Sequence, residues 1–208
     1  MKKVVLLFCI LIITARMGFA VDFTRGPDSV QPGNILISGG LAVGAASYDF
    51  TRVYFTGRPW NESGNVFLLG GTVAVDFALP FYALTVGGEI SYLSGDDIFL
   101  EVSILPIMAR LAIHPDFGVD NLNAYGLLKL GFGRGVNKRS VSSPSGSGFG
   151  FGLGIGGRYF FTDNLGAFAE LGLDSFSYRT SEGRAEPITI ETTGRRFVTI
   201  GVTYKLSL

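Results

Sequence analysis

Charged residues recur at alternate positions within segments of the chain that are otherwise apolar. The acidic members of this set are Asp76, Glu89, Glu101, Glu170 and Asp174, and the basic members are Arg110, Lys129, Arg158, Arg195 and Lys205. Charges that leave water need partners of opposite sign, and the two signs balance here. We therefore expect these side chains to share one interior as ion pairs that plug it. The lining of a polar conduit or gate is the open alternative.

The elements that position these charges have a period of two residues. In Gly148–Phe161, bulky apolar residues occupy one set of alternate positions, and glycine or Arg158 occupies the other. This alternation is typical of a β-strand. The outer face of a soluble sandwich would be polar. Here the second face is glycine instead of polar residues. This favours a narrow barrel whose bulky face contacts lipid and whose glycine face lines a crowded interior.

Eight segments have this pattern, and each is long enough for the roughly 9–11 residues that a tilted transmembrane strand needs. They are residues 34–47, 66–79, 83–92, 98–113, 124–136, 148–161, 165–178 and 196–208. An even number of antiparallel strands predicts an all-β, closed transmembrane barrel over residues 34–208, with both termini and the short turns in the periplasm. The longer loops are expected outside, except the short connection 94–97. Aromatic residues expected in the interfacial girdles are Tyr48, Tyr92, Tyr159, Phe161 and Tyr204.

The first twenty residues have the layout of a cleavable secretory signal. A pair of lysines precedes the apolar run Val4–Thr14, which is short for a membrane span. Gly18 and Ala20 then suit the −3 and −1 positions of a cleavage site. We therefore predict a signal peptide over residues 1–20, and residues 21–33 as a periplasmic lead-in to the barrel.

Cysteine usage and net charge limit the partners of the mature chain. The single cysteine, Cys9, lies inside the predicted signal, so neither a disulfide nor a thiol metal site is expected. Lysine plus arginine number 17, as do aspartate plus glutamate, so nothing indicates binding to nucleic acid.

Pro106 interrupts the fourth segment. Its first half assigns Val102 and Ile104 to lipid and Glu101 to the interior. Strict alternation from there would make Arg110 face lipid. The free-energy cost of a lipid-facing arginine is about 2–4 kcal/mol at the bilayer midplane and about 0–1 kcal/mol near the interface. Proline within a strand usually marks a bulge or an edge. We therefore predict a bulge near Pro106 that turns Arg110 inward.

Three motifs resemble those of bacterial outer-membrane β-barrel domain proteins. Gly33–Leu41 resembles their opening strand. Leu105–Arg110 resembles the pattern of proline, apolar pair and Ala-Arg in their fourth strand. Tyr159–Gly166 resembles the turn between their sixth and seventh strands. The resemblance implies an eight-stranded barrel of the OmpA, OmpX and OmpW kind, in the outer membrane and in contact with its lipid.

The end of the chain resembles the terminal-strand signal that the barrel-assembly machinery reads. Its candidate residues are Thr199, Gly201, Tyr204 and Leu206, and the chain departs from the pattern by ending on Leu208 rather than on phenylalanine. The resemblance therefore implies the assembly machinery as a partner during insertion.

Enzymes on barrels of this size, such as lipid A deacylases and palmitoyltransferases, need a histidine with a serine at the outer rim. The single histidine here, His114, precedes Pro115 and Asp116 in a predicted periplasmic turn. That is the opposite end from outer-leaflet lipid A. We therefore interpret His114 as a turn residue and expect no enzyme, cofactor or metal site.

Two functions remain open, as does the oligomeric state. An OmpW-like barrel implies a narrow channel for small solutes, including hydrophobic ones, and small inner-face residues suit it. An OmpX- or OmpA-like barrel implies a non-conducting structural or surface-interaction barrel whose loops contact a host ligand. Tyr54, Phe55 and Trp60 in the first long loop would either bind a ligand or extend the first hairpin.

Overall fold

The computed structural model describes residues 30–53, 59–80, 83–97, 100–119, 121–138, 145–182 and 188–207. Of residues 52–53, 59–60, 182 and 188 it describes the backbone alone. The predicted signal peptide, most of the lead-in, and the side chains of Tyr54, Phe55 and Trp60 lie outside this part. The described residues include no helix long and apolar enough to cross a membrane.

Eight antiparallel strands form one closed barrel, each paired with its neighbours in sequence and the last paired with the first. They are β1 (Ile35–Val53), β2 (Pro59–Ala78), β3 (Leu84–Asp96), β4 (Glu101–Ile113), β5 (Leu122–Lys138), β6 (Ser145–Phe160), β7 (Leu165–Glu182) and β8 (Ile188–Leu206). The predicted all-β barrel is thereby confirmed.

The barrel has two ends. At the termini end, Ile35 of β1 pairs with Leu206 of β8; the opposite end is called the far end below. The outward side chains form a belt of exposed apolar residues around the wall, from Leu41 and Phe67 to Leu173 and Val202. Among the described residues the middle of the outer wall has no polar face in place of this belt, as expected of a barrel that stands in lipid.

Most strands are longer than the sequence predicted, and the added length lies at the far end. β1 continues to Val53, and β2 begins at Pro59. β3 and β4, joined by the short connection predicted there, have only 13 residues each. The extension was missed because its outward residues, such as Asp49 and Ser63, are polar, so the apolar alternation stops although the hydrogen-bonded ladder continues.

The predicted bulge at Pro106 is wrong. Pro106 pairs with Gly133 in an unbroken register with β5. Val102 and Ile104, assigned to lipid from the sequence, are buried inside the barrel. Even-numbered residues therefore face inward along β4, and Arg110 reaches the lumen by simple alternation.

A bulge occurs instead in β8. Val198 pairs with Val43 of β1, but Arg196 pairs with the next residue, Gly44, which leaves Phe197 without a partner on β1. The ladder with β7 also shifts there, between Leu171 and Asp174. An extra residue inverts the alternation of a strand. As a result Arg196 is buried, whereas Arg195 is exposed on the outer wall.

Candidate functional site

Four cations and four carboxylates fill the middle of the lumen. We call them the central ion cluster: Asp76, Glu89, Arg110, Lys129, Arg158, Glu170, Asp174 and Arg196, all buried. Every strand from β2 to β8 contributes at least one of them, because each presents an inward position at this level. The formal charges cancel, which is the condition under which so many ions tolerate removal from water.

Arg110 is the hub of the cluster. Its Nε donates to Asp76 Oδ1 at 3.1 Å, and its Nη2 donates to Glu170 Oε1 at 2.6 Å. Its Nη1 also contacts Glu89. One guanidinium thereby links β4 to β2, β3 and β7, so its planar set of donors connects opposite walls of the barrel.

Lys129 and Arg196 complete the network on the side of β5 and β8. Lys129 Nζ lies 2.9 Å from Glu89 Oε2, 3.3 Å from Glu170 Oε2 and 3.4 Å from Asp174 Oδ2. Arg196 Nε donates to Asp174 Oδ2 at 2.7 Å. Each of the three carboxylates that Lys129 contacts therefore has at least one further basic partner.

Arg158 extends the cluster towards the termini end. Its Nη2 donates to Asp76 Oδ2 at 2.8 Å, and its guanidinium lies 4.5 Å from the ring centroid of Tyr125. The Tyr125 hydroxyl donates in turn to Glu170 Oε1 at 3.0 Å. Nε and Nη1 of Arg158 and Nδ2 of Asn123, its partner across the β5–β6 ladder, make no hydrogen bond to the described residues.

His114 lies in the turn after β4, as predicted, and is fully buried beside this end of the cluster. Nδ1 donates to Asn123 Oδ1 at 2.9 Å and Nε2 accepts from Thr85 Oγ1 at 3.0 Å, if the ring carries its proton on Nδ1. Burial, followed by the charge of Arg158, lowers the pKa of His114 to about 3. The ring is therefore a neutral structural group at physiological pH.

Three of the ten charged residues singled out in the sequence lie outside the central ion cluster. Glu101 stands on the outer wall, half exposed, and binds Lys138 at 2.8 Å, because alternation along β4 turns odd-numbered residues outward. Arg195 is also on the outer wall, because of the bulge at Phe197. Lys205 lies near the termini end, 5.1 Å from the ring centroid of Phe160.

Sequence reasoning missed Arg196, which takes the inward place assigned to Arg195. The available signal was the pair of adjacent arginines in an alternating segment, where one of the two must face inward. Of the candidate assembly-signal residues, Tyr204 and Leu206 point outward, Thr199 is buried inside, and Gly201 is half-buried.

Apolar side chains close the lumen on both sides of the central ion cluster. The far-end seal contains Ala42, Ala46, Tyr48, Phe50, Val66, Leu68, Leu93, Leu100, Val102, Ile104, Tyr178 and Ile190. Tyr48, expected in the lipid girdle, belongs to this inner seal. At the termini end Val30 packs with Leu36, Ala78 and Phe160.

Inward glycines make room for these large side chains. A Cβ on Gly150 would strike the ring of Phe176, and one on Gly135 would strike Tyr178. A cavity beside Gly154 and Gly172 has space for about one water molecule. The small inner face therefore accommodates side chains from the opposite strands, as a narrow barrel requires.

Closure, the apolar belt and the packed lumen together define a small transmembrane β-barrel. The chain belongs to the outer membrane protein β-barrel domain family, whose model matches residues 29–205. No curated protein matches it in sequence.

The structure is similar to those of solved outer-membrane proteins at low sequence identity, and the first of these has the same fold. OprG from Pseudomonas aeruginosa is 14% identical with a TM-score of 0.56, over 86% of this chain and 98% of that one. Neisserial surface protein A is 14% identical with a TM-score of 0.46, over 76% and 96%. Ail, the attachment invasion locus protein of Yersinia pestis, is 13% identical with a TM-score of 0.39, over 85% and 100%.

Proposed function

We propose that the protein is a non-conducting outer-membrane barrel whose termini end faces the periplasm and whose far end presents loops for surface contact. The observation that carries this proposal is the closed lumen. Eight buried charges form ion pairs across it, and apolar seals lie on both sides. A solute would have to break several buried ion pairs to pass, and breaking even one is costly.

The strand lengths support a role at the far end. β1, β2, β7 and β8 have 18 to 20 residues each, well beyond the roughly 9–11 that cross the bilayer. Inside this extension Asn137 Nδ2 donates to Thr180 Oγ1 at 3.0 Å, and the Tyr178 hydroxyl donates to Asn137 Oδ1 at 2.9 Å. A packed, hydrogen-bonded extension raises the far ends of these strands above the lipid.

A narrow channel is the second candidate, supported by one feature. The small cavity lies beside Gly154 and Gly172, at the level where the β7–β8 ladder shifts, and Lys129 and Arg196 line it. Rearrangement of these side chains is the simplest route to a continuous path for small solutes.

Planar-bilayer conductance separates the two candidates. We expect the folded wild-type barrel to leave the bare bilayer conductance unchanged. The matched variant is Asp174→Ser with Arg196→Ser, which removes one charge of each sign next to the cavity and is expected to conduct. Steady conductance of the wild type, or uptake of small solutes into liposomes that contain it, would overturn the proposal.

Labelling of intact cells tests the orientation. A membrane-impermeant thiol reagent should label Ser63→Cys, exposed in the far-end extension of β2, and should leave Asn164→Cys, in the turn between β6 and β7 at the termini end, unlabelled. The reverse pattern would mean that the termini face outward.

A further inference from the structure

Two arginines stand where the apolar belt ends on the outer wall. On β5 the last exposed aromatic residue is Phe132, and the next outward residue is Arg134. On β8 Phe197 is followed in the same way by Arg195. A cation one outward position beyond an aromatic girdle residue lies at the depth of lipid headgroups.

The two strands between them carry hydroxyl groups at the same boundary. Ser147 follows Phe149 on β6 and pairs directly with Arg134, while Ser175 follows Leu173 on β7 and pairs directly with Arg195. Each hydroxyl thus lies beside one guanidinium. The two pairs are four residues out of register, because Ser175 pairs with Phe151 and not with Ser147 across the β6–β7 ladder.

The other half of the wall lacks this arrangement. On β2 and β3 the first outward residues beyond the belt are Asn65 and Ser94. Farther out, Asp96 and Glu101 are acidic. Cations at the belt boundary are therefore confined to the half formed by β5–β8, among the residues whose side chains are described.

Both arginines keep donors free for a ligand. Arg134 has one long hydrogen bond, 3.4 Å from Nη2 to Ser145 Oγ, and Arg195 forms no ion pair with any described residue. By contrast, Arg179, farther from the belt on β7, is paired with Glu191. Exposed guanidinium groups next to an apolar surface match phosphate oxygens in geometry and charge.

We propose that this face of β5–β8 binds a glycolipid whose headgroup carries two phosphates, with one phosphate on Arg134, the other on Arg195 and sugar hydroxyls against Ser147 and Ser175. Three interstrand spacings of about 4.8 Å separate β5 from β8, and the four-residue offset between the two pairs adds about 3.3 Å per residue along the strands. That distance is too large for a single phosphate to bridge the two arginines. The acyl chains of such a lipid would lie along Phe132, Phe149 and Phe197. Placing it in the outer leaflet rests on the proposed orientation.

Native mass spectrometry of the folded barrel in detergent micelles tests the site with three probes: diphosphorylated, monophosphorylated and dephosphorylated lipid A. The wild type should bind the diphosphorylated form about fivefold more tightly than the monophosphorylated one. Arg134→Ser and Arg195→Ser should each abolish that preference. Lys138→Ser, the control four residues farther from the belt than Arg134 on β5 and already paired with Glu101, should keep it.

Equal binding of all three lipids, or an unchanged preference in both arginine variants, would overturn the proposal. Phosphatidylglycerol bound as tightly as the diphosphorylated lipid would overturn the two-phosphate assignment. Displacement of the lipid by inorganic phosphate would mean a site for the free anion instead. The measurement is made in detergent, so it depends neither on the orientation in the cell nor on conductance, and its failure leaves the proposed function intact.

Discussion

Arg110 and Glu170 meet inside the barrel at 2.6 Å, from Nη2 to Oε1, although two further strands separate β4 from β7 along the wall. The backbone ladder does not connect these strands directly. The ion pair therefore joins opposite sides of the lumen, which hydrogen bonding between adjacent strands cannot do.

Replacement of Arg110 by alanine should be strongly destabilising. It leaves Asp76, Glu89 and Glu170 buried without their shared partner, and loss of one partner from a buried ion pair costs about 3–5 kcal/mol. The free energy of unfolding in urea, measured on the barrel refolded in phospholipid, gives the value.

The matched control is Glu101→Gln on the same strand. It breaks the exposed pair with Lys138, for which about 0–1 kcal/mol is expected. Similar losses for the two variants would mean that the central ion cluster does not stabilise the barrel.

The sequence predicts the belt well and the interior less well, for a physical reason. Lipid requires apolar residues at every second outward position, so alternation identifies the strands and their lipid faces. The interior accepts ions at mid-height but apolar residues at the far end. Val102 and Ile104 therefore resemble lipid-facing residues although they are buried, and this mistake led to the bulge wrongly predicted at Pro106.

The bulge at Phe197 was beyond reach for the opposite reason. Pairing with β1 and β7 determines it, and the sequence of β8 alone contains no proline or turn motif there. One of the adjacent residues Arg195 and Arg196 must face the lumen and the other the outer wall, and the sequence of β8 favours neither choice. Only the register of the neighbouring strands settles that choice.

Single-cysteine labelling tests the inversion at this bulge. Arg195 and Thr199 are four residues apart, so an unbroken strand would place them on the same face. With the bulge, Arg195→Cys should react rapidly with a water-soluble maleimide, whereas Thr199→Cys, at a position 2% exposed, should be protected in the folded barrel.

The background is clean because the only native cysteine, Cys9, lies in the predicted signal peptide. Denaturation in urea should make both variants react equally. Equal reactivity in the folded state would refute the bulge.

Glycine at the inward positions of β6 should be necessary for packing. Gly150→Ala places a methyl group against the buried ring of Phe176, and overpacking of this kind costs about 1–3 kcal/mol. Gly157→Ala on the same strand meets no atom within 4 Å and serves as the control. Urea midpoints should fall for the first variant and stay near wild type for the second, and a reversed order would contradict the packing described here.

His114 should make the barrel less stable in acid. Its pKa is about 3 in the folded protein and near 6.5 when the chain unfolds. Between these values the unfolded chain binds a proton that the folded barrel excludes, so the free energy of unfolding falls as the pH falls, by up to about 1.4 kcal/mol per pH unit. His114→Gln keeps a polar side chain without a titrating ring and should lose this contribution.

Since the carboxylates of the central ion cluster also bind protons in acid, the informative quantity is the difference between wild type and His114→Gln. Urea unfolding of both proteins between about pH 7 and pH 4 measures it. His114 is the only histidine in the chain, so no other imidazole contributes. The two curves should diverge below about pH 6.5, as the imidazole begins to titrate in the unfolded chain. Parallel curves over that range would mean that His114 takes up its proton in the folded barrel and is less isolated from solvent than its contacts with Thr85 and Asn123 imply.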